Sequence, residues 1–237
     1  MTAHDVEAQR EYYARTAAHY DSMHLAGGDE HALALGLFAG IVRGRGVTSV
    51  LDVGAGTGRA LDILAAALPG VALTGIEPVE ALRKVGHERG IPEAMLIDGD
   101  ALNIAFPDDS FDYVIETGVL HHVPDPRRAV LEMARVARHG VLISDSNNYG
   151  QGSRSVRWIK RVIRAAGLWK AYIWVTTKGR MSKWSESDGV FYSYSVFDDL
   201  EALKTKFPRV VMANTLPSAS VDLRFGATHV VLLALKG

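Results

Sequence analysis

The sequence predicts an α/β domain built on a doubly wound, mostly parallel sheet. Three observations predict it. Short apolar runs ending in Gly or polar residues alternate with helix-length amphipathic stretches up to about residue 145. One such run passes directly into three alternating glycines and then a helix, and glycine lets a backbone turn sharply there. Hydrophobic residues make up 48% and charged residues 22% of the 237, enough to bury one large core.

In order along the chain, a helix is expected from about Val6 to His19, carrying Tyr12 and Tyr13, with Tyr20 just after it. Gly27, Gly28 and Asp29 break the chain before a second helix, His31–Val42. Residues 1–45 are thus read as a helical N-terminal cap on a single domain spanning 1–237. Strands follow at Ser49–Val53, Val71–Ile76, Ala94–Ile97, Tyr113–Ile115 and Val141–Ile143, separated by helices at Arg59–Leu68, Val79–Arg89 and Pro126–Ala137. In the last helix Ala129, Val130, Met133, Val136 and Ala137 share one face at helical spacing. The alternation then stops. Residues 147–195 read as a helical insertion, and strand-like runs return at Val210–Asn214 and Thr228–Leu235.

Several function classes are excluded or disfavoured. A net charge of −1 gives no overall bias toward nucleic acid or membrane, and no nucleic-acid partner is expected. The absence of cysteine removes disulfides, thiolate metal sites and cysteine nucleophiles. No apolar run reaches the ~20 residues of a membrane span, and Met1–Arg15 has no signal-peptide core. A cytoplasmic location is expected.

Ligands of such sheets sit beyond the carboxyl ends of the strands. There, Asp52-Val53-Gly54-Ala55-Gly56-Thr57-Gly58 forms a Gly-x-Gly-x-Gly turn. A dinucleotide fingerprint needs a third Gly where Arg59 stands, which counts against a nicotinamide oxidoreductase, and no Gly-Lys-Ser/Thr marks a P-loop. Glu77 ends the second strand, 21 residues beyond Gly56. It either accepts from two ribose hydroxyls or serves as a helix N-terminal acid beside Pro78. Asp100, after the third strand, accepts from an adenine amine or caps its own turn.

Leu51–Gly58, Gly75–Pro78, Gly99–Ala101, Phe106–Asp112 and Leu120–Pro124 together resemble the class I S-adenosylmethionine-dependent methyltransferases, in particular a branch with Leu-His-His-Val after strand four. The resemblance implies a seven-stranded Rossmann-like sheet whose last strand, Thr228–Leu235, is antiparallel. It implies S-adenosylmethionine as cofactor. The glycine turn would meet its methionine part, Glu77 its ribose and Asp100 its adenine. The candidate cofactor residues are Asp52, Gly54, Ala55, Gly56, Gly58, Glu77, Pro78, Asp100, Ala101, Glu116 and Tyr20. One departure is Ala137-Arg138-His139-Gly140, which replaces the family's basic Pro-Gly-Gly turn. Glu116-Thr117-Gly118-Val119 also lacks the Asn/Asp-Pro-Pro-aromatic motif of enzymes acting on base amines.

A hydroxyl acceptor is a weak nucleophile, so a general base is expected, and histidine suits neutral pH. His121 and His122 follow strand four and Asp145 closes strand five. The trio resembles the His and Asp residues of sugar O-methyltransferases that tailor natural-product glycosides. The alternative is that one His, His122, is a core residue bonded to backbone. Relatives that methylate carbon or nitrogen share the pair, and carbon methylation of a lipid quinone is the second reading. Asp145-Ser146-Asn147-Asn148 reads as a loop cap, and no metal is expected.

The insertion is chemically distinctive. Between Gln151 and Trp184 stand nine basic residues, no acid and all four tryptophans. Val156, Ile159, Val162, Ile163 and Ala166 form an apolar side of a helix, with Arg and Lys on the other. Three readings are open: a lid helix with its apolar side on the body and its basic side in solvent, a lid over an anionic or lipid-linked acceptor, or a peripheral membrane contact through 151–184. Candidate acceptor residues are Tyr12, Tyr13, Trp158, Arg161, Trp184, Tyr192 and Tyr194.

Overall fold

The computed structural model describes residues 3–20, 30–216 and 222–237. The expected break at Gly27, Gly28 and Asp29 lies outside the described residues. Helix α1 spans Ala3–Thr16 and α2 Glu30–Val42. The strands of the main sheet are β1 Ser49–Val53, β2 Ala72–Ile76, β3 Leu96–Ile97, β4 Phe111–Thr117, β5 Ala137–Ser146, β8 Arg209–Asn214 and β9 His229–Leu235. They lie in the order β3-β2-β1-β4-β5-β9-β8, and β9 runs antiparallel to both neighbours. The seven-stranded, mostly parallel sheet and its antiparallel β9 are therefore as expected.

Side chains alternate between two cores, the period-2 rule of a sheet covered on both faces. In β9, Val230, Leu232 and Ala234 enter one core and Val231, Leu233 and Leu235 the other. The first core takes in α5, Pro126–Val136, through Ala129, Val130 and Met133. The second takes in α2 and α3, Arg59–Ala67, through Phe38, Leu61 and Leu64, and α4, Glu80–Glu88, follows β2. Asp125 caps α5 by accepting from Arg128 N at 3.1 Å, and Pro126 fits its first turn.

The expected turn at Ala137-Arg138-His139-Gly140 is instead the start of β5, which leaves α5 without a loop. Asp112 explains the arginine. Its Oδ1 accepts from Arg138 Nη1 at 2.7 Å and its Oδ2 from Thr48 N at 2.7 Å, tying the starts of β1, β4 and β5.

The insertion departs from expectation in two ways. It is only half helical: α6 Arg154–Ala165 and α7 Trp169–Thr176 are followed by a hairpin, β6 Ser182–Ser185 and β7 Gly189–Tyr192. Its base is closed by an Asn147–Ser195 bridge. More consequentially, α6 is turned the other way from a lid packing its apolar side inward. Lys160 Nζ donates to Asn148 O at 2.8 Å, Arg157 to Phe225 O at 3.2 Å and Arg161 to Asp222 at 3.2 Å. The Arg164 guanidinium stacks over Tyr149 and Trp169. The loops at 147–149 and 222–225 offer carbonyls, a carboxylate and aromatic faces, which satisfy guanidinium groups and not methyls. Val156, Ile159 and Val162 are left exposed, and no α6 residue is buried.

Candidate functional site

The glycine turn follows β1 directly. Gly54, Gly56 and Gly58 have φ of 73°, 57° and 82°, conformations that side chains disfavour. A Cβ at Gly54 would lie 2.5 Å from Val119, and one at Gly56 would lie 3.4 Å from the Tyr20 ring. Glu77, at the end of β2, holds the turn: its Oε2 accepts from Gly56 N at 3.1 Å and its Oε1 from Val79 N at 2.8 Å. Burial pushes the Glu77 carboxyl up to about 7 against those hydrogen bonds. Burial, and then the charge of Glu77, also raise Asp52 to about 7, and neither Asp52 carboxylate oxygen has a hydrogen-bond partner.

A cleft opens beyond these groups, lined by Tyr13, Tyr20, Gly54, Glu77, Pro78, Asp100, Ala101 and Val119. Asp100 is in its predicted place and also caps its turn, with Oδ1 accepting from Leu102 N at 2.8 Å and Oδ2 facing Arg10 at 3.4 Å on the rim. Glu116 is corrected. It lies beneath the cleft, fully buried, and its Oε2 accepts from Val119 N at 2.9 Å. Burial and the neighbouring Asp145 charge hold its carboxyl well above the usual range. It supports the turn that carries the histidines and does not face the cleft.

The chain from Leu120 to His122 makes a single tight turn after β4. Asp145 Oδ2 accepts from Leu120 N at 2.8 Å and His121 N at 3.3 Å, while Oδ1 accepts from His121 Nδ1 at 2.6 Å and from Ser146 N. His121 Nε2 lies 3.5 Å from Asp188 Oδ2, and His122 Nε2 3.3 Å from Asp188 Oδ1. Both nitrogens of His121 therefore face carboxylates, which makes it an imidazolium. Burial alone would lower it, but Asp145 and Asp188 overcome that and lift it to about 10. Burial and the His121 charge lower His122, whose Nδ1 donates to Val190 O at 2.7 Å. Asp145 is held at about 2: burial raises it, and its contacts with His121 prevail.

Asp188 is the site residue the sequence reading missed. It arrives from the hairpin turn between β6 and β7, and α1 sets it in place. Gln9 Nε2 donates to Asp188 O at 3.2 Å while its Oε1 accepts from Val190 N. Asp188-Gly189 is a hairpin signal that would have revealed the turn, though not what the carboxylate meets.

His121, Ser146 and Asp188 line two adjoining cavities. One borders the glycine turn and also includes Tyr13, Tyr20, His31 and His229. The other lies in the insertion, with Lys160, Trp169, Tyr172, Tyr192 and Tyr194. Of the candidate acceptor residues, Tyr13, Tyr192 and Tyr194 are thus brought together. Four others are not. Tyr12 is buried against the hairpin, donating to Glu186 O at 3.1 Å, and Trp184 packs edge-on against it with its far side exposed. Trp158 is 65% exposed, and Arg161 is engaged by Asp222 and the Phe225 ring. Asn147 is consumed structurally, donating to Leu223, Arg224 and Ala227 carbonyls, and Asn148 bonds Ser193 and Arg164. The suspected loop-cap role of this stretch thus has a geometric basis.

Residues 51–144 match the family model described as a methyltransferase domain. The chain is 34% identical over 119 residues to a phosphatidylethanolamine N-methyltransferase of Cereibacter sphaeroides, covering 48% of this chain and 57% of that protein. It is 38% identical over 99 residues to demethylmenaquinone methyltransferase of Staphylococcus aureus, covering 40% and 41%. The chain thus spans about half the length of the curated relatives it matches. The fold is similar to that of Haemonchus contortus phosphoethanolamine N-methyltransferase 2 in complex with S-adenosyl-L-methionine, with a TM-score of 0.64 and 18% identity over 100% of this chain and 60% of that one.

S-adenosylmethionine is the cofactor, and the cleft suits it. Three left-handed glycines leave bare backbone at the cleft, and just before them Asp52 keeps two buried carboxylate oxygens without a partner, acceptors that would suit a cation. Glu77 stands at the cleft wall, where its carboxylate could accept from ligand hydroxyls. Gly54→Ala is expected to abolish measurable donor binding and to cost roughly 1–2 kcal/mol of stability, since the new methyl meets Val119 from a left-handed backbone. Calorimetry with S-adenosylhomocysteine and a urea melt check both effects.

Proposed function

We propose that the chain is an S-adenosylmethionine-dependent methyltransferase that methylates a hydroxyl of a small molecule, sugar or glycan. Supporting this is the position of His121 where the donor-side and insertion cavities adjoin, with its Nδ1 held by Asp145. The cofactor supplies an electrophilic methyl group on a sulfonium, and this chain's residues do the rest. The insertion, 147–195, holds the acceptor among Tyr192, Tyr194, Trp169 and Lys160. The acceptor hydroxyl enters between His121 Nε2 and Asp188, whose 3.5 Å contact is long enough to yield. Once it has lost its own Nε2 proton, His121 would accept the hydroxyl proton as the methyl group leaves the donor sulfur for the acceptor oxygen, and Asp145 would stabilise the imidazolium that re-forms. A second reading, carbon methylation of a lipid quinone-like acceptor, is favoured by the match to demethylmenaquinone methyltransferase. It would use the same base.

The pH profile tests the proposal. A base must be unprotonated, and His121 in the free enzyme is protonated below about 10. The kcat/KM should therefore climb with pH, about tenfold per unit, toward pH 10. Asp188→Asn removes one of the two carboxylates that raise His121 and should move the climb to lower pH. A wild-type profile flat between about pH 7 and 10, or an unmoved limb in the variant, would remove His121 as the base.

A further inference from the structure

We infer that the insertion is a docking surface for an anionic lipid bilayer. The inference is independent of the chemistry proposed above. It begins with the reversed orientation of α6: four of its five cations, Arg157, Lys160, Arg161 and Arg164, are bonded to the body of the protein, and its apolar side faces outward. Val156, Trp158, Ile159 and Val162 are 41–65% exposed. Helix α7, packed against α6, adds Trp174 and Val175, and Leu168 stands just before it, the three at 56–66%. An apolar face this size on solvent marks a surface with an occupant.

Charge selects the occupant. Residues 151–184 contain no acid. Arg154, Lys170, Lys178, Arg180 and Lys183 make no ion pair among the described residues. Protein interfaces are depleted of lysine at their centres. A bilayer interface, by contrast, takes Trp at headgroup depth and lets Lys and Arg reach phosphates around buried apolar groups. A second copy of the chain would place this cationic surface against itself in a two-fold contact, which repels. Among the described residues no helix is long and apolar enough to cross a membrane, so the surface would rest on the bilayer and not span it.

The test is sedimentation of the full chain with vesicles of phosphatidylcholine alone or with a quarter phosphatidylglycerol. Wild type should bind the anionic vesicles, with a blue shift of tryptophan emission, and should release as salt increases. The triple variant Trp158→Ala, Trp174→Ala, Val175→Ala should bind at least about tenfold more weakly. Its circular dichroism and S-adenosylhomocysteine affinity should be unchanged, because those side chains are exposed. Lys170→Gln with Lys178→Gln should lose about fivefold per charge at low salt. Wild type indifferent to phosphatidylglycerol, a triple variant binding like wild type, or a wild-type dimer that the triple variant dissolves would each overturn the inference.

Discussion

His121→Gln is expected to lower turnover about 10²–10⁴-fold, the range removed with a positioned base. Donor affinity should change little. The imidazole lies beyond the donor end of the cavity, and Glu77 and the glycine turn remain intact. Glutamine keeps a polar group near Asp145 but cannot cycle a proton. Asp145 still accepts from the backbone of Leu120, His121 and Ser146, so the loop has an anchor without the ring. Asp145→Asn should behave differently. It leaves a buried His121 with one carboxylate and replaces an acceptor shared by three backbone N–H groups with an amide. Breaking such a buried pair costs roughly 3–5 kcal/mol, so this variant loses stability as well as turnover. Single-turnover rates with saturating acceptor, beside urea melts, separate the two. A glutamine variant within about threefold of wild-type turnover would show that the acceptor gives up its proton without an imidazole.

What the sequence discloses follows from the range of the interactions involved. The strands, the glycine turn and Glu77 are local: each is set by residues within a few positions, or by one strand–helix unit. The His121–Asp145 pair is nearly as accessible, because β4 and β5 are neighbours and a turn after one meets the end of the other. Asp188 is of another kind. It reaches the histidines only because the insertion hairpin folds back and α1 clamps it through Gln9, a contact 179 residues long. No periodicity encodes that distance. The insertion helix shows a third limit. Its pattern gives two faces, but which one meets the body depends on what distant loops offer, here the carbonyl of Phe225, the carboxylate of Asp222 and the ring of Tyr149. The candidate roles of Trp158 and Arg161 failed for this reason. Their residue types suited a ligand, while their side of the helix was decided elsewhere. The misplacement of Glu116 has a simpler origin: the last residues of a buried strand alternate between cleft and core, and a carboxylate pointing to the core can hold a loop.

Glu77→Gln is expected to weaken S-adenosylhomocysteine binding about 100-fold, which corresponds to about 3 kcal/mol, or two hydrogen bonds to a charged acceptor at the low end of their range. The variant loses more than charge. Gly56 N and Val79 N both donate to the carboxylate, one to each oxygen. A glutamine offers one oxygen, so its amide nitrogen must face one of these donors and loosen the turn it should hold. The same carboxyl gives the wild type a pH signature. Burial lifts Glu77 and Asp52 to about 7, so the free protein carries them partly protonated near neutrality. A ligand whose hydroxyls and ammonium donate to them favours the ionised forms, and its binding releases protons. Affinity should accordingly rise as pH passes upward through about 7 and level off above it. Below that pH it should fall by up to about tenfold per unit for each carboxyl that must ionise. In Glu77→Gln the remaining dependence belongs to Asp52 alone and is shallower. Titration calorimetry at about pH 6 and 8, in buffers of different ionisation enthalpy, reads affinity and proton release together. Equal affinities at the two values with no proton release would mean that neither carboxyl touches the ligand. The turn would then bind its cofactor through backbone alone.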